Sequence, residues 1–229
     1  MKKHKVLDLF AGLGGFSLGL GRTGGFETVA FCEIEKFPQT VLAKHWPDVP
    51  IYNDVMELTN DRLRADGIFP TVITGGFPCQ DISVAGNQKG IDEGTRSGLW
   101  SECARLVGSV RPKWAIFENV SALLSGGGSG GEWFQRVLFD ISQIGGYVVE
   151  WHCISASDLG VHHHRDSIWA AEPSVCGVAD GISDGVYEGR VTTGVKDRAK
   201  RLKALGNSVV PQIPELIGMA ILEYENAKL

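Results

Sequence analysis

The sequence has no run of about 18 apolar residues, no Cys-x-x-Cys pair, no internal repeat and no surplus of positive charge. Without the apolar run, no transmembrane helix is expected. Met1-Lys2-Lys3-His4-Lys5 passes directly into Val6-Leu7-Asp8-Leu9-Phe10, too short and too acidic a stretch for a secretory signal, so a cytoplasmic location is expected. The cysteines Cys32, Cys79, Cys103, Cys153 and Cys176 are odd in number and widely separated. They read as reduced thiols, with room for one chosen for reactivity, rather than as a zinc or redox motif. A net charge of −5 excludes a surface coated in cations. Nucleic acid would then be met along a local patch, for which Lys196, Arg198, Lys200, Arg201 and Lys203, opposed only by Asp197, are the candidate. Such a run is also what a solvated face before a helix looks like, and both readings stand.

What is present is a globular composition, 43% hydrophobic and 21% charged over 229 residues, enough to bury a core without staples. Short β-branched runs at Val6–Phe10, Thr28–Cys32, Thr71–Thr74, Trp114–Phe117, Tyr147–Cys153 and Ile168–Ala171 read as strands. Helical periodicity falls at 36–45, 98–110 and 132–144, and again from Pro211 to Asn226 with Ile213, Leu216, Ile217, Ala220 and Ile221 on one face. The alternation predicts an α/β fold with a mostly parallel sheet and helices on both faces. The glycines between Gly126 and Gly131 read as a surface loop, and 172–198 as an irregular connection. Ligands in such sheets sit beyond the carboxyl ends of the strands, so the residues that follow each strand carry the functional reading.

After the first strand comes Phe10-Ala11-Gly12-Leu13-Gly14-Gly15-Phe16, a glycine turn opening a helix, which lets backbone approach a ligand closely. The dinucleotide fingerprint is not met, because Ser17 stands at the third glycine position. Glu33, at the end of the second strand, is placed to accept hydrogen bonds from ribose hydroxyls, and Asp54, after Ile51-Tyr52, to take an adenine amino group. Together they favour an adenosine-containing ligand other than a dinucleotide. Further on, Gly75-Gly76-Phe77-Pro78-Cys79-Gln80 puts a cysteine in a polar loop after a strand, a setting suited to nucleophilic chemistry, and Glu118-Asn119-Val120 puts an acid at the corresponding edge of the next strand.

These segments, with Leu205-Gly206-Asn207-Ser208-Val209-Val210-Pro211 near the carboxyl terminus, resemble the cytosine-5 DNA methyltransferase family, most of all its compact phage and prophage members. The resemblance covers 5–171 and 200–222. It implies a Rossmann-like, S-adenosylmethionine-dependent fold, with double-stranded DNA as partner, a monomer, and neither metal nor membrane involved. It assigns Cys79 as the nucleophile that adds to C6 of a flipped cytosine and Glu118 as the group holding a proton at N3. It assigns cofactor contacts to Phe10, Gly12, Leu13, Gly15, Glu33, Ile34, Asp54, Val55, Pro78, Leu99, Asn207 and Ser208. The implied organisation is a catalytic and cofactor-binding part over 1–171, an irregular segment over 172–198 in place of a target-recognition domain, and a return to the catalytic part over 199–229. The competing readings are an impaired homologue acting as an accessory DNA-binding subunit, and a transfer RNA methyltransferase of the same fold.

Two departures from the family matter. Its QxRxR-type segment is His163-His164-Arg165-Asp166-Ser167 here, in which Arg165 alone is kept as an anchor for the flipped base. Residues 172–198 are too few for a target-recognition core, so sequence readout is expected to be lax, drawn from the residues after Cys79, or supplied by a separate chain. The first departure generates a test. A guanidinium donating to the base or a phosphate is worth about 1.5–3 kcal/mol, about 10- to 150-fold. Ser167→Arg is therefore expected to raise single-turnover methylation or DNA affinity. If the neighbours have taken over the anchoring, His163→Ala or Arg165→Ala is the damaging change, and no effect beyond about twofold in all three variants removes this segment from the anchor.

Overall fold

The computed structural model describes residues 2–78, 99–124, 132–155, 166–171 and 208–227, with 166–171 described through the backbone alone. Cys79, the 126–131 loop, His163 to Arg165, the connection 172–198, the basic run from Lys196 to Lys203 and Asn207 lie outside the described residues. The strands are β1 His4–Leu9, β2 Phe26–Cys32, β3 Ile51–Tyr52, β4 Val72–Gly76, β5 Trp114–Val120, β6 Glu150–Ser155 and β7 Asp166–Ala171. They form one sheet in the order β3-β2-β1-β4-β5-β7-β6. The first five are parallel, and β7 runs antiparallel between β5 and β6. The helices are α1 Gly15–Arg22, α2 Lys36–His45, α3 Asn60–Ala65, α4 Trp100–Val110, α5 Glu132–Ile144 and α6 Gln212–Asn226.

The pattern of β1 explains its place. Val6 to Leu9 are all buried, as a strand covered on both faces requires. Leu7 and Leu9 pack with Leu63 of α3, Trp100, Cys103 and Leu106 of α4 and Phe134 and Val137 of α5. Val6 belongs to the opposite layer, with Phe16 and Leu20 of α1 and Ile213 and Ile221 of α6. α2 sets Leu42 against Phe31 of β2. The sheet is therefore sandwiched between helices, as the alternation predicts.

The differences from the sequence reading have physical causes. β5 continues through Glu118 and Asn119 to Val120 because β7 pairs with it from Phe117 to Val120, sustaining a strand where composition turns polar. β6 begins at Glu150 rather than Tyr147. Gly145 and Gly146 turn the chain at positive φ, and the Tyr147 hydroxyl donates to the Pro112 carbonyl at 2.6 Å, holding Tyr147 outside the ladder. α3 is absent from the sequence reading, because six residues with only Leu63 buried offer no visible period; its start is marked by Thr59, which accepts from the Arg62 N–H at 3.1 Å. On α6, Ile213 and Ile221 are buried as expected, whereas Pro214 and Gly218 take the other buried positions in place of Leu216 and Ala220.

The carboxyl-terminal segment lies on α1 through two glycines. A Cβ at Gly15 would intrude on the Val209 carbonyl, and one at Gly19 on the Pro211 carbonyl, both backbone atoms. Gly21, in the same helix, faces nothing within 4 Å. Gly19→Ala is accordingly expected to lower stability by about 1–3 kcal/mol through overpacking. Gly21→Ala should be neutral or stabilising by up to about 1 kcal/mol through helix propensity. Urea unfolding of the two variants checks the pair, and equal midpoints would contradict the close approach.

Candidate active site

Just beyond β1 the chain turns sharply. Phe10 (φ 50°), Gly12 (φ 53°) and Gly14 (φ 82°) all lie in the left-handed region, an uncommon and strained conformation for a residue as bulky as Phe10. Gly14 caps α1 and donates to the Ala11 carbonyl at 2.7 Å, and Ala11 donates to the Cys32 carbonyl at 3.2 Å, tying the turn to the end of β2. Glu33 follows β2. Its buried carboxylate accepts from the Gly12 N–H at 2.8 Å and from the Glu35 N–H at 2.7 Å. Burial pushes this carboxyl above its usual range, while the backbone donors oppose the rise. An ionised carboxylate has about four acceptor positions, so these two bonds leave capacity for hydroxyl donors. Ile34 beside it is 66% exposed.

The end of β3 joins the same edge, since Glu33 donates its N–H to the Tyr52 carbonyl at 2.9 Å. Asp54 accepts from the Met56 N–H at 2.9 Å, shaping the turn that buries Val55. Arg105 of α4 donates to the Val55 and Leu58 carbonyls at 2.9 Å each and to Glu102 at 2.7 Å, so α4 holds this turn in place. Leu99, at the start of α4, packs against the layer that contains Val55. Phe10, Gly12, Leu13, Glu33, Ile34, Asp54 and Val55 thus share one edge, at the carboxyl ends of β1, β2 and β3.

The next strand outward brings the second half of the site. Leu9 is in register with Gly75, and Gly76 with Glu118, so β4 delivers its exit between the glycine turn and the acid. The buried Glu118 carboxylate lies over Gly76, where a Cβ would stand 3.2 Å from its Oε2, and Val209 closes the same spot at 3.5 Å. Ser208 precedes Val209. Asn119, facing the other way, donates from Nδ2 to the Phe77 carbonyl at 3.1 Å and accepts from the Val120 N–H at 2.9 Å. Phe77 and Trp100, which flank segment 79–98 in the chain, meet with ring centroids 5.3 Å apart and planes tilted by 52°, and Trp100 donates to Asp140 of α5 at 3.0 Å. Pro78 is the last described residue before Cys79. The backbone of Ser167 pairs with Val120, which brings the start of β7 to the edge that holds Glu118.

Sequence reasoning missed Asp8, Ser17, Thr74, Asn119 and Arg105. Asp8 is fully buried between α1 and the sheet and accepts from the hydroxyls of Ser17 at 2.7 Å and Thr74 at 2.8 Å. The signal was available: an acid inside an apolar run, and a serine where the dinucleotide fingerprint has glycine. Ser17 breaks that fingerprint because its hydroxyl is needed by Asp8. Two other cysteines are chemically quiet, since burial pushes the Cys32 thiol up to about 12 and the Cys103 thiol higher still. Among the described residues, no group of three or more His, Cys, Asp or Glu side chains is arranged to hold a metal, and no helix is long and apolar enough to cross a membrane.

Residues 4–170 match the family model of the C-5 cytosine-specific DNA methylases. The chain belongs to this family. It is 34% identical over 169 residues to the type II methyltransferase M2.BsuMI of Bacillus subtilis, covering 72% of this chain and 40% of that protein. It is 35% identical over 161 residues to M.CviJI of Paramecium bursaria Chlorella virus IL3A, covering 70% and 41%. Among solved structures, a prophage-encoded E. coli protein assigned as a DNA modification methyltransferase superposes with TM-score 0.61 at 25% identity, over 74% of this chain and 46% of that one. The S. pombe Dnmt2 methyltransferase, at 17% identity and TM-score 0.56 over 74% and 49%, shares the fold. The chain spans about 40% of the length of the curated relatives it matches.

The fold is thus the Rossmann-like methyltransferase fold, and S-adenosylmethionine is the methyl donor of this family. Within it, Asp8 supplies a measurable signature. Burial raises its carboxyl to about 6, with the Ser17 and Thr74 hydroxyls opposing the rise. A folded-state value above the unfolded value near 3.9 means that the folded chain binds this proton more tightly. The resulting stability is complete below about pH 4 and is lost as pH rises through 6, with a span of about 3 kcal/mol at most. Asp8→Asn removes the titration and leaves an amide that can serve both hydroxyls. Wild type minus variant stability, from urea unfolding, is expected to fall between pH 4 and pH 7 and to stay flat above; a difference constant across that window contradicts the buried, ionisable Asp8.

Proposed function

We propose that this chain methylates C5 of cytosine in double-stranded DNA, with Cys79 as nucleophile and Glu118 as the acid beside it. The reading rests on one juxtaposition: the Glu118 carboxylate lies over Gly76, three residues before Cys79, next to the glycine turn that follows β1. The turn suits S-adenosylmethionine. A Cβ at Gly12 would have nothing nearer than 4.0 Å, so the backbone there is open to a ligand, and the buried Glu33 carboxylate retains acceptor positions for ribose hydroxyls. Phe10, Gly12, Leu13, Gly15, Glu33, Ile34, Asp54, Val55, Pro78, Leu99, Asn207 and Ser208 would hold it. When bound, it supplies an electrophilic methyl group.

The rest is the work of the chain's own residues. Cytosine C5 is too weak a nucleophile in the aromatic ring. Addition of the Cys79 thiolate to C6 moves electron density onto C5, while Glu118 holds a proton at N3 and absorbs the charge that builds on the ring. Once C5 carries its new substituent, loss of the C5 proton expels the thiolate and restores the ring. A paired base cannot reach a nucleophile set in a protein edge, so the cytosine is flipped, with Arg165 as its anchor. Residues 1–171 form the catalytic and cofactor part, 172–198 stand in place of a target-recognition domain, and 199–229 return to the catalytic part. Residues 172–198 are too few for a target-recognition core, and we assign target recognition to a separate chain. The chain itself acts as a monomer in the cytoplasm.

Cys79→Ser is expected to lower methyl transfer by roughly three orders of magnitude or more, with affinity for S-adenosylmethionine by calorimetry unchanged within about twofold. Duplex DNA containing 5-fluorocytosine should trap wild type in a methyl-labelled covalent complex on a denaturing gel, since fluorine cannot leave C5 as a proton does. A serine variant with near wild-type turnover, or no trapped band, overturns the mechanism.

A further inference from the structure

The opposite end of the sheet, where the strands begin, carries a second feature that methyl transfer does not use. Thr71, just before β4, accepts from the Lys5 N–H through its hydroxyl at 2.9 Å and from the Lys113 N–H through its carbonyl at 2.8 Å, and donates its own N–H to the Lys5 carbonyl at 2.9 Å. These bonds set the beginnings of β1, β4 and β5 side by side. A cleft of about 490 Å³ opens there, lined by Lys2, Lys3, Lys5, Lys113, Phe69 and Thr71, with His4 beside them.

Its charge is concentrated and largely unanswered. Among the described residues, Lys2, Lys3 and Lys5 take part in no ion pair. Lys113 and His4 share Glu225, at 2.7 and 3.1 Å. Three lysines that line one concavity and take part in no ion pair among the described residues, on a chain of net charge −5, create a local field that a phosphate-bearing ligand offsets. Phe69 decides between ligands of that class. It is 55% exposed within the same cleft, and a free phosphate has no use for an aromatic face, whereas a nucleic-acid strand does: charged grooves with exposed aromatic rings bind single strands by pairing cations with phosphates and stacking bases on the rings.

We propose that this cleft binds a single-stranded segment of nucleic acid, with its phosphates on Lys2, Lys3 and Lys5 and an unpaired base on Phe69. The cleft is separate from the methylation edge and is tested by binding alone. The full chain is titrated into fluorescein-labelled oligothymidylate, and into a duplex of the same length, across a series of salt concentrations. Phe69→Ala is expected to weaken single-strand binding by about 5- to 150-fold with little change in salt dependence, while Phe69→Tyr, which keeps an aromatic face, retains affinity. Lys2→Gln, Lys3→Gln and Lys5→Gln combined should reduce the slope of log affinity against log salt by about 0.7 for each phosphate no longer neutralised. A control carrying Lys44→Gln and Arg64→Gln, exposed cations outside the cleft, should change neither. Pyrophosphate, which carries the charge without a base, should compete poorly with the oligonucleotide on wild type and comparatively better on Phe69→Ala. Affinity indifferent to Phe69→Ala makes the cleft a plain anion site and overturns the proposal, as does a slope that the lysine set leaves unchanged or that the control lowers equally. A wild type that binds duplex but no single strand overturns it while leaving the methylation reading intact.

Discussion

The candidate site depends first on the pairing of β1 with β4, the point at which the strand order reverses and the chain crosses from one half of the sheet to the other. Because Leu9 is in register with Gly75, the glycine turn after β1 and the glycine pair leading to Pro78 leave the sheet side by side. Asp8 ties this junction together. Its carboxylate, with no access to water, draws one hydroxyl from α1 and one from β4. Either donor, if removed, leaves a buried acceptor short of a partner, at a cost of about 1–3 kcal/mol. The same two bonds set how α1 sits on the sheet, and with it the course of the turn between Phe10 and Gly14.

A second layer of restraint comes from long-range contacts made by residues with no chemistry of their own. Asn119 holds the Phe77 carbonyl, Trp100 packs between Phe77 and Phe117, and Arg105 holds the turn at Val55 and Leu58. α4 therefore touches both the exit of β4 at Phe77 and the turn at Val55 and Leu58 that follows β3. Positions that resemble separate motifs in the chain are mechanically one assembly, and α4 is the shared element.

The segment from Ser208 to Ala227 belongs to the same body. Val209 meets Gly76 beside Glu118, Gly15 and Gly19 allow the chain to lie directly on α1, and Glu225 receives the Trp114 indole N–H at 2.8 Å while pairing with Lys113 and His4. This segment thus reaches from the edge that holds Glu118 to the beginnings of the strands, where the basic cleft opens. Closure of the fold by residues that follow a long intervening segment accounts for the recurrence of an apolar helical face so late in the chain.

Much of this was legible in the residues themselves. Alternating buried runs and helical periods determined the α/β class, since each period reports which faces of an element are covered. The glycine turn, Glu33 and Pro78 were legible because each follows an apolar strand, and Glu118 because it stands where the apolar run of β5 ends, near the strand ends at which such sheets hold ligands. Asp8 and Ser17 stood out as an acid in an apolar run and a serine at a glycine position, but the bonds from Ser17 and Thr74 to Asp8, and those made by Asn119 and Arg105, were not legible, because these partners lie 9, 66, 42 and 47 to 50 residues apart and hydrogen bonds over such separations leave no period in the sequence. The end of β5 and the start of β6 were decided in the same way, by β7 as a pairing partner and by the bond from Tyr147 to Pro112. Local pattern specified which elements form and which residues stand at their ends; only the tertiary structure decided which of those ends meet, because register and burial are set by contacts between segments that the sequence keeps apart.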